Sequence, residues 1–267
     1  MGNQDSDPGP LQYSIHRSEI ITDIAIILSL RLTQEFIPLN KDSQRLFPDE
    51  INSLDDSIRD SWHTKSDNFL NGSTGSLYTP LTTGIIITGL NLVEDAPSLK
   101  IGNELFIFAN GAFANKFLTK IFKRALSRRR PLLEFASPDE QAELGKDENN
   151  HEAFYSGHTS TAFYSAAFLR RRLSQSLQRR GHTGIKSGHQ WLAGVTLYMW
   201  AAYVGYSRIE IDEHYFTDVV TGAVMGVLFE EIYYRFNQRH WSFHPSWRLT
   251  PQVRHDSLGL WFARSFP

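Results

Sequence analysis

From Ile101 to Leu126 the chain reads as one long helix, and it stops at the basic run Arg128-Arg129-Arg130 before Pro131. Proline does not continue a helix comfortably, and it drives the residue before it, Arg130, towards extended backbone. Helical spacing returns in most other segments. Ser18 to about Phe36 carries Ile21, Ile24, Leu28 and Leu32 on one face. Ile51–Trp62 predicts a polar amphipathic helix with Leu54 and Ile58 spaced by four. Leu77–Val93 is apolar and compact, and Pro97 breaks it. Gly157 to Leu177, Trp191 to Tyr206 and Tyr215 to Phe236 complete a set of six or so helices.

The segments between them carry turn and loop chemistry. Pro38–Glu50 is loop, Asn71-Gly72-Ser73-Thr74-Gly75 is a turn, and Gly181–Gly188 is a linker. Leu132–Glu152 is acidic and irregular, the pattern of an exposed loop. No β-alternation of useful length and no internal repeat is visible. The expected fold class is therefore all-α: a helical bundle of about six core helices with an irregular aromatic C-terminal tail. Residues 1–17 are expected to be a flexible N-terminus, 18–238 the helical domain and 239–267 the tail.

With 267 residues the chain can bury a sizeable core, and 41% hydrophobic with 21% charged residues is a globular balance. A net charge of −2 argues against a broad nucleic-acid surface. The absence of cysteine excludes a disulfide scaffold, a thiolate metal site and a cysteine nucleophile. Residues 1–13 lack the basic start and apolar core of a cleavable signal. Ile20–Leu32, Leu77–Val93, Trp191–Ser207 and Val219–Phe229 are apolar, but none is a clean run of about twenty residues. Mean hydropathy is −0.33. Buried helices of a large bundle account for these stretches at least as well as membrane spans do. In the tail, Trp241, Phe243, Trp247, Trp261, Phe262 and Phe266 either pack onto the bundle or anchor it at a membrane interface.

Three fragments carry chemistry. In Ser207–Asp218, Arg208 offers a planar fork of donors suited to an oxyanion. Asp218 lies four residues after His214, so with helix from Tyr215 onward the carboxylate reaches the imidazole and leaves its other nitrogen basic and aimed. Alone, such a pair is as often a satisfied core pair. Lys123 and Arg130 stand at a helix end, where cations also sit simply for the dipole. Tyr155-Ser156-Gly157-His158 opens a helix: Ser156 reads as an N-cap, the free amides form an anion site, and His158 can donate a proton to a leaving oxygen. One such fragment arises by chance in roughly a few per cent of chains of this length. All three in order are rarer by several powers of ten, and they converge on one chemistry: holding a phosphoryl group.

Together the fragments resemble the signature of the type-2 phosphatidic acid phosphatase superfamily, which includes bacterial acid phosphatases and vanadium haloperoxidases. That signature is K-x6-R-P, then P-S-G-H, then S-R-x5-H-x3-D, matched here from Lys123 to Asp218 with Tyr155 where the family usually has proline. The resemblance implies His214 as a nucleophile forming a phosphohistidine, Asp218 as its orienting partner, and His158 as the acid and then the base. It implies that Lys123, Arg130, Arg208, Ser156 and the Gly157 amide hold the phosphoryl oxygens. Arg128 has no ligand role in the pattern, so Arg128→Lys is expected to be mild.

The implied activity is a metal-independent phosphomonoesterase acting on lipid phosphates or related phosphoesters, with no cofactor and with vanadate as an inhibitor. The alternatives are a haloperoxidase that takes vanadate as cofactor and a silent phospholipid-binding protein of the same fold. The implied partners are a phosphate ester and a membrane surface, with no nucleic acid. The implied location is membrane-associated in the cell envelope, a soluble form being the alternative.

Overall fold

The computed structural model describes residues 17–39, 52–63, 78–96, 98–179, 186–243, 247–254 and 257–264. The chain divides into two compact units, Met1–Glu230 and Glu231–Pro267. The first is all-α. In chain order its helices are α1 (Arg17–Phe36), α2 (Ser53–Trp62), α3 (Thr79–Val93), α4 (Ser98–Leu126), the short α5 (Pro131–Glu134) and α6 (Pro138–Leu144), α7 (Gly157–Arg179), α8 (Lys186–Glu210) and α9, which begins at Phe216 and runs to Phe243 in the second unit.

α7 packs against α3, α4 and α8, while α4 also carries α1 and α3, and α2 touches α8. The apolar core is small and built from aromatic and alanine contacts. Ile87, Phe108, Tyr164 and Leu169 form one cluster, and Ala162, Ala166, Ala201 and Val204 another. The buried Tyr164 hydroxyl donates to the Phe108 carbonyl at 3.1 Å, so its burial leaves no polar atom stranded. Glycine brings α9 against α7: a Cβ on Gly222 would stand 2.6 Å from the Ser156 carbonyl oxygen, and one on Gly226 2.3 Å from that of Ser160. Only glycine permits so close a backbone approach.

Much of the interior is polar. Arg172 of α7 donates to Glu104 at 2.8 Å, to Glu94 at 2.7 and 3.0 Å and to Asn91 at 3.2 Å. Arg171 makes a two-pronged pair with Glu230 at 2.8 and 2.9 Å. The apolar stripes face the other way. Ile21, Ile24, Leu28 and Leu32, the apolar face of α1, are exposed, Ile21 by 66%, whereas Asp23 of the same helix is 8% exposed. α3 buries Thr79, Thr83, Ile87 and Asn91 and exposes Leu81, Ile85, Ile86, Leu92 and Val93. α9 exposes Val220, Val224 and Leu228 while burying Asp218 and Glu230. The polar side chains have partners inside, Asn91 donating to Glu104 at 2.6 Å for example, so the bundle closes around charge and leaves its aliphatic faces outward.

Two segments differ from expectation. The acidic stretch 132–152 is no simple exposed loop: it holds α5, α6 and a 3-10 turn at Glu148–His151, and it buries Leu133, Asn150, His151 and Glu152. Ser137 and Glu140 start α6 with a reciprocal capping box. In the second unit, Trp247–Arg254 (β1) and Ser257–Arg264 (β2) pair antiparallel, with Trp247 opposite Arg264 and Arg254 opposite Ser257. The irregular tail is thus a hairpin. Its first strand, Trp-Arg-Leu-Thr-Pro-Gln-Val-Arg, does alternate, and Pro251 hides the pattern by reading as a breaker. The tail's aromatic side chains, and residues 1–16, lie outside the described residues.

Candidate active site

α4 ends in a turn carrying Lys123 and Arg124. Ser127 then takes a left-handed conformation, φ 49°, and its hydroxyl donates to the Arg124 carbonyl at 2.9 Å, which satisfies an end carbonyl of the helix. The next three residues run extended beside 150–153: the Arg130 amide donates to the Asn150 carbonyl at 2.8 Å, and the Ala153 amide to that of Arg128 at 2.9 Å. Arg130 itself, before Pro131, has φ −75° and ψ 153°. Extended backbone sends successive side chains to opposite sides. Arg128 and Arg130 therefore point inward, while the Arg129 side chain is 42% exposed.

Ser156 and Gly157 open α7. The Ser156 amide donates to the backbone carbonyl of Asp218 at 3.0 Å, which joins the second fragment to the third. The Ser156 hydroxyl accepts from the Thr159 hydroxyl at 2.9 Å and, more weakly, from its amide at 3.4 Å. A Cβ on Gly157 would meet the Thr119 methyl of α4 at 3.3 Å, one helical turn before Lys123. Tyr155, in the position the family usually gives to proline, is buried, and its hydroxyl accepts from Thr119 at 3.2 Å.

Arg208 lies in the last turn of α8, almost fully buried, with its carbonyl accepting the amides of Glu213 and His214 at 3.0 and 3.1 Å. That closes a tight loop in which Asp212 is left-handed, φ 57°. His214 lies in this loop, two residues ahead of α9, which begins one residue later than the expected Tyr215. It still meets Asp218: Nδ1 is 3.6 Å from Oδ2, just beyond hydrogen-bond length, and both residues are buried. The same Oδ2 accepts the Tyr215 amide at 3.0 Å, so Asp218 also caps the start of its own helix.

Four basic side chains bear on His214. Burial first, and then the fields of Lys123, Arg130, His158 and Arg208, hold its proton affinity well below the ordinary histidine value, so the imidazole is neutral. Burial, joined by the neighbouring Arg130 charge, lowers Lys123 to about 7, against the opposing pull of Glu152 and Asp218. Burial and Arg130 lower Arg208 to about 10. Burial raises Asp218 to about 6 despite Arg128 beside it. Arg130 pairs with Glu213, and its Nε is a buried donor with no protein acceptor. Among the described residues no group of three or more His, Asp or Glu side chains is placed to hold a metal ion.

The structure thus brings Lys123, Arg130, Ser156, Gly157, His158, Arg208, His214 and Asp218 to one place. It adds residues that the sequence reading did not single out. Arg128 is buried, donating to Asp218 Oδ1 at 2.6 Å, to Asp55 at 2.9 Å and to the Thr217 hydroxyl at 2.9 Å, with its guanidinium 4.0 Å over the Tyr215 ring. Asp55 is 1% exposed while Leu54, the expected buried residue of α2, is 49% exposed. Arg59 forks onto Asp212 at 2.8 and 2.9 Å. The one sequence signal for Arg128 was alternation: an extended Arg130 before proline puts the residue two back on the same side.

An all-helical bundle with a buried, carboxylate-backed histidine among four basic side chains defines a class: a histidine-centred site built at helix ends. The sequence pattern of the PAP2 superfamily matches residues 104–242, just over half of the chain, and the chain belongs to that superfamily. Phospholipid phosphatase 2 from Rattus norvegicus and its counterpart from Mus musculus are each 31% identical over 136 residues, covering 45% of this chain and 48% of the relative. The chain spans about half the length of these curated relatives. The crystal structure of a transmembrane PAP2 type phosphatidylglycerolphosphate phosphatase from Bacillus subtilis aligns over 83% of this chain and 98% of its own, at 20% identity and a TM-score of 0.49.

Proposed function

We propose that the chain is a metal-independent phosphomonoesterase that works through a phosphohistidine on membrane-borne phosphate esters. The observation that carries this is the buried His214 with Asp218 behind Nδ1 and Lys123, Arg130, His158 and Arg208 around it. With Nδ1 turned to Asp218, Nε2 is the free nucleophile. It attacks phosphorus, the P–O bond to the alcohol breaks, and His158 gives the leaving oxygen its proton. His158, now basic, takes a proton from water as that water attacks phosphorus; the N–P bond breaks with its electron pair returning to Nε2, phosphate leaves and His214 returns neutral. Lys123, Arg130, Arg208, the Ser156 hydroxyl and the Gly157 amide hold the equatorial oxygens, whose charge grows in the transition state. The unsatisfied Nε of Arg130 is a donor suited to one of them.

The lipid part rests on the outward aliphatic faces of α1, α3 and α9, together with Trp191, Leu192, Met199 and Trp200 on α8. Exposed aliphatic and aromatic side chains in this number favour an apolar partner, here a membrane. No helix among the described residues is long and apolar enough to cross one. The relatives' name, phospholipid phosphatase, favours the same substrate class.

Phosphate release from p-nitrophenyl phosphate and from phosphatidic acid in vesicles tests both halves. Activity on both, insensitive to EDTA and inhibited competitively by vanadate, is the expected result. Loss in EDTA that returns with Mg²⁺ overturns the metal-independent mechanism, and indifference to vesicle-borne phosphatidic acid overturns the lipid assignment.

A further inference from the structure

Asp55 belongs to α2, outside every fragment that carries the family signature, yet it lies fully buried against the site. One of its oxygens accepts the Thr217 amide at 2.9 Å, and the other accepts the Thr217 hydroxyl at 2.7 Å and Arg128 at 2.9 Å. It therefore caps the start of α9, where a carboxylate suits the free amides of the first turn. Arg128 uses its other terminal nitrogen on Asp218 Oδ1 at 2.6 Å. That leaves Oδ2, fixed by the Tyr215 amide, as the oxygen that faces His214. Asp55, Arg128 and Asp218 form one chain of contacts, with Arg128 also stacked on Tyr215.

Two carboxylates and one guanidinium leave this cluster with one negative charge beside the imidazole. An imidazole that attacks phosphorus becomes cationic, so a fixed negative charge behind it stabilises the phosphorylated form. We propose that Arg128 and Asp55 are positioning residues of the active site: Asp55 anchors Arg128, Arg128 fixes the Asp218 carboxylate, and Asp218 thereby orients His214. The proposal rests on His214 being the nucleophile. It makes α2 part of the catalytic apparatus, and it replaces the expectation that Arg128→Lys is mild, because an ammonium cannot span two carboxylates as a planar fork does.

A scaffold role for α2 makes a different forecast, because α2 is fastened twice. Arg59 holds Asp212 by a separate forked pair that does not touch Asp218. The readout is the acid limb of kcat/KM, which belongs to the coupled Asp218–His214 pair. The charged groups facing that pair are Asp55 from α2, Lys123 from α4, Arg128 and Arg130 from the extended segment, His158 from α7 and Arg208 from α8. Removing the Arg128 charge makes protons bind more tightly to the pair, and removing the Asp55 charge makes them bind less tightly.

The experiment compares Asp55→Asn, Arg128→Met, Arg128→Lys and Arg59→Gln in the full chain, with p-nitrophenyl phosphate from pH 4 to 9 and a thermal melt on each. The acid limb is expected to move up by on the order of one pH unit in Arg128→Met and down in Asp55→Asn. In Arg128→Lys kcat should fall about tenfold or more with KM within about twofold. Arg59→Gln should lower the melting temperature without moving the limb. Shifts of the same sign in the two charge variants, or an Arg59→Gln shift equal to that of Asp55→Asn, overturn the proposal in favour of a scaffold. Should Arg128→Met not fold, an unmoved limb in Asp55→Asn or a parental kcat in Arg128→Lys overturns it alone. His214→Ala separates the two levels: if it stays active the phosphohistidine reading fails, whereas a dead His214→Ala beside parental Asp55→Asn and Arg128→Lys sinks only this inference.

Discussion

The two faces of α9 obey opposite rules. Inward, Asp218, Gly222, Gly226 and Glu230 are each fixed by a particular contact: a histidine and an arginine, two backbone carbonyls, an arginine fork. Outward, Val220, Val224 and Leu228 contribute area, and any aliphatic side chain would serve. The difference teaches that specificity in this molecule is carried by buried polar atoms and not by its apolar side chains. Changes on the inner face, and in the residues that meet it, should cost turnover; changes on the outer face should cost only attachment to lipid.

The largest break expected is at His214. His214→Ala removes the imidazole on which Lys123, Arg130, His158 and Arg208 all bear, so turnover of p-nitrophenyl phosphate should fall by roughly 10⁴-fold or more. Substantial hydrolysis by the purified variant would show that water, and not this imidazole, attacks phosphorus.

Next comes a contrast inside three consecutive residues. Arg130→Lys should lower kcat/KM by about 10²-fold, because a point charge cannot contact two phosphoryl oxygens at once. Arg129→Lys, one position away with a side chain 42% exposed, should stay within about twofold. Equal losses would mean that the run acts as a diffuse positive field and that its inward and outward sides do not differ.

That contrast also marks how far the sequence could be read. That Lys123, Arg130, Ser156, Gly157, His158, Arg208, His214 and Asp218 come together was legible, because their types and their spacing at helix ends suit one oxyanion. Arg128 and Asp55 were not, since a cation in a basic run and an acid on a polar helix look solvated until the partner 73 residues away is known. Helix positions were legible from periodicity, but the side each helix buries was not. The apolar stripe of α1 fits a buried bundle face at least as well as a membrane span, whereas the interior holds Arg172, Glu94, Glu104 and their like, pairs that form between distant segments. The hairpin was hidden by one proline in an alternating strand.

Lys123 offers a smaller and pH-dependent effect. With its ammonium lowered to about 7, the free protein loses this charge as pH rises through 7 and its attraction for a phosphate dianion weakens. kcat/KM should therefore fall above about pH 7, while kcat, measured with the dianion bound and the lysine held protonated by it, should not fall on this account. Lys123→Arg keeps the charge at all these pH values and should move the fall in kcat/KM to higher pH. An alkaline limb identical in parent and variant would remove Lys123 from the phosphate-binding set.

On the outer face the expected effect on turnover is the smallest. Val224→Ser and Leu228→Ser change side chains that are about half exposed on the outer face, so hydrolysis of p-nitrophenyl phosphate should stay within about twofold. Their effect belongs to lipid. Each substitution withdraws an aliphatic group whose transfer out of water is worth roughly 1 kcal/mol, so partition onto phosphatidic acid vesicles should weaken about fivefold per site. Cosedimentation with vesicles reads this directly, and activity on phosphatidic acid should fall in parallel while the soluble substrate is unaffected. If the double variant binds vesicles as the parent does, the outward aliphatic faces serve another partner. If it loses p-nitrophenyl phosphate hydrolysis as well, the two faces of α9 are not independent and the division between site and surface fails.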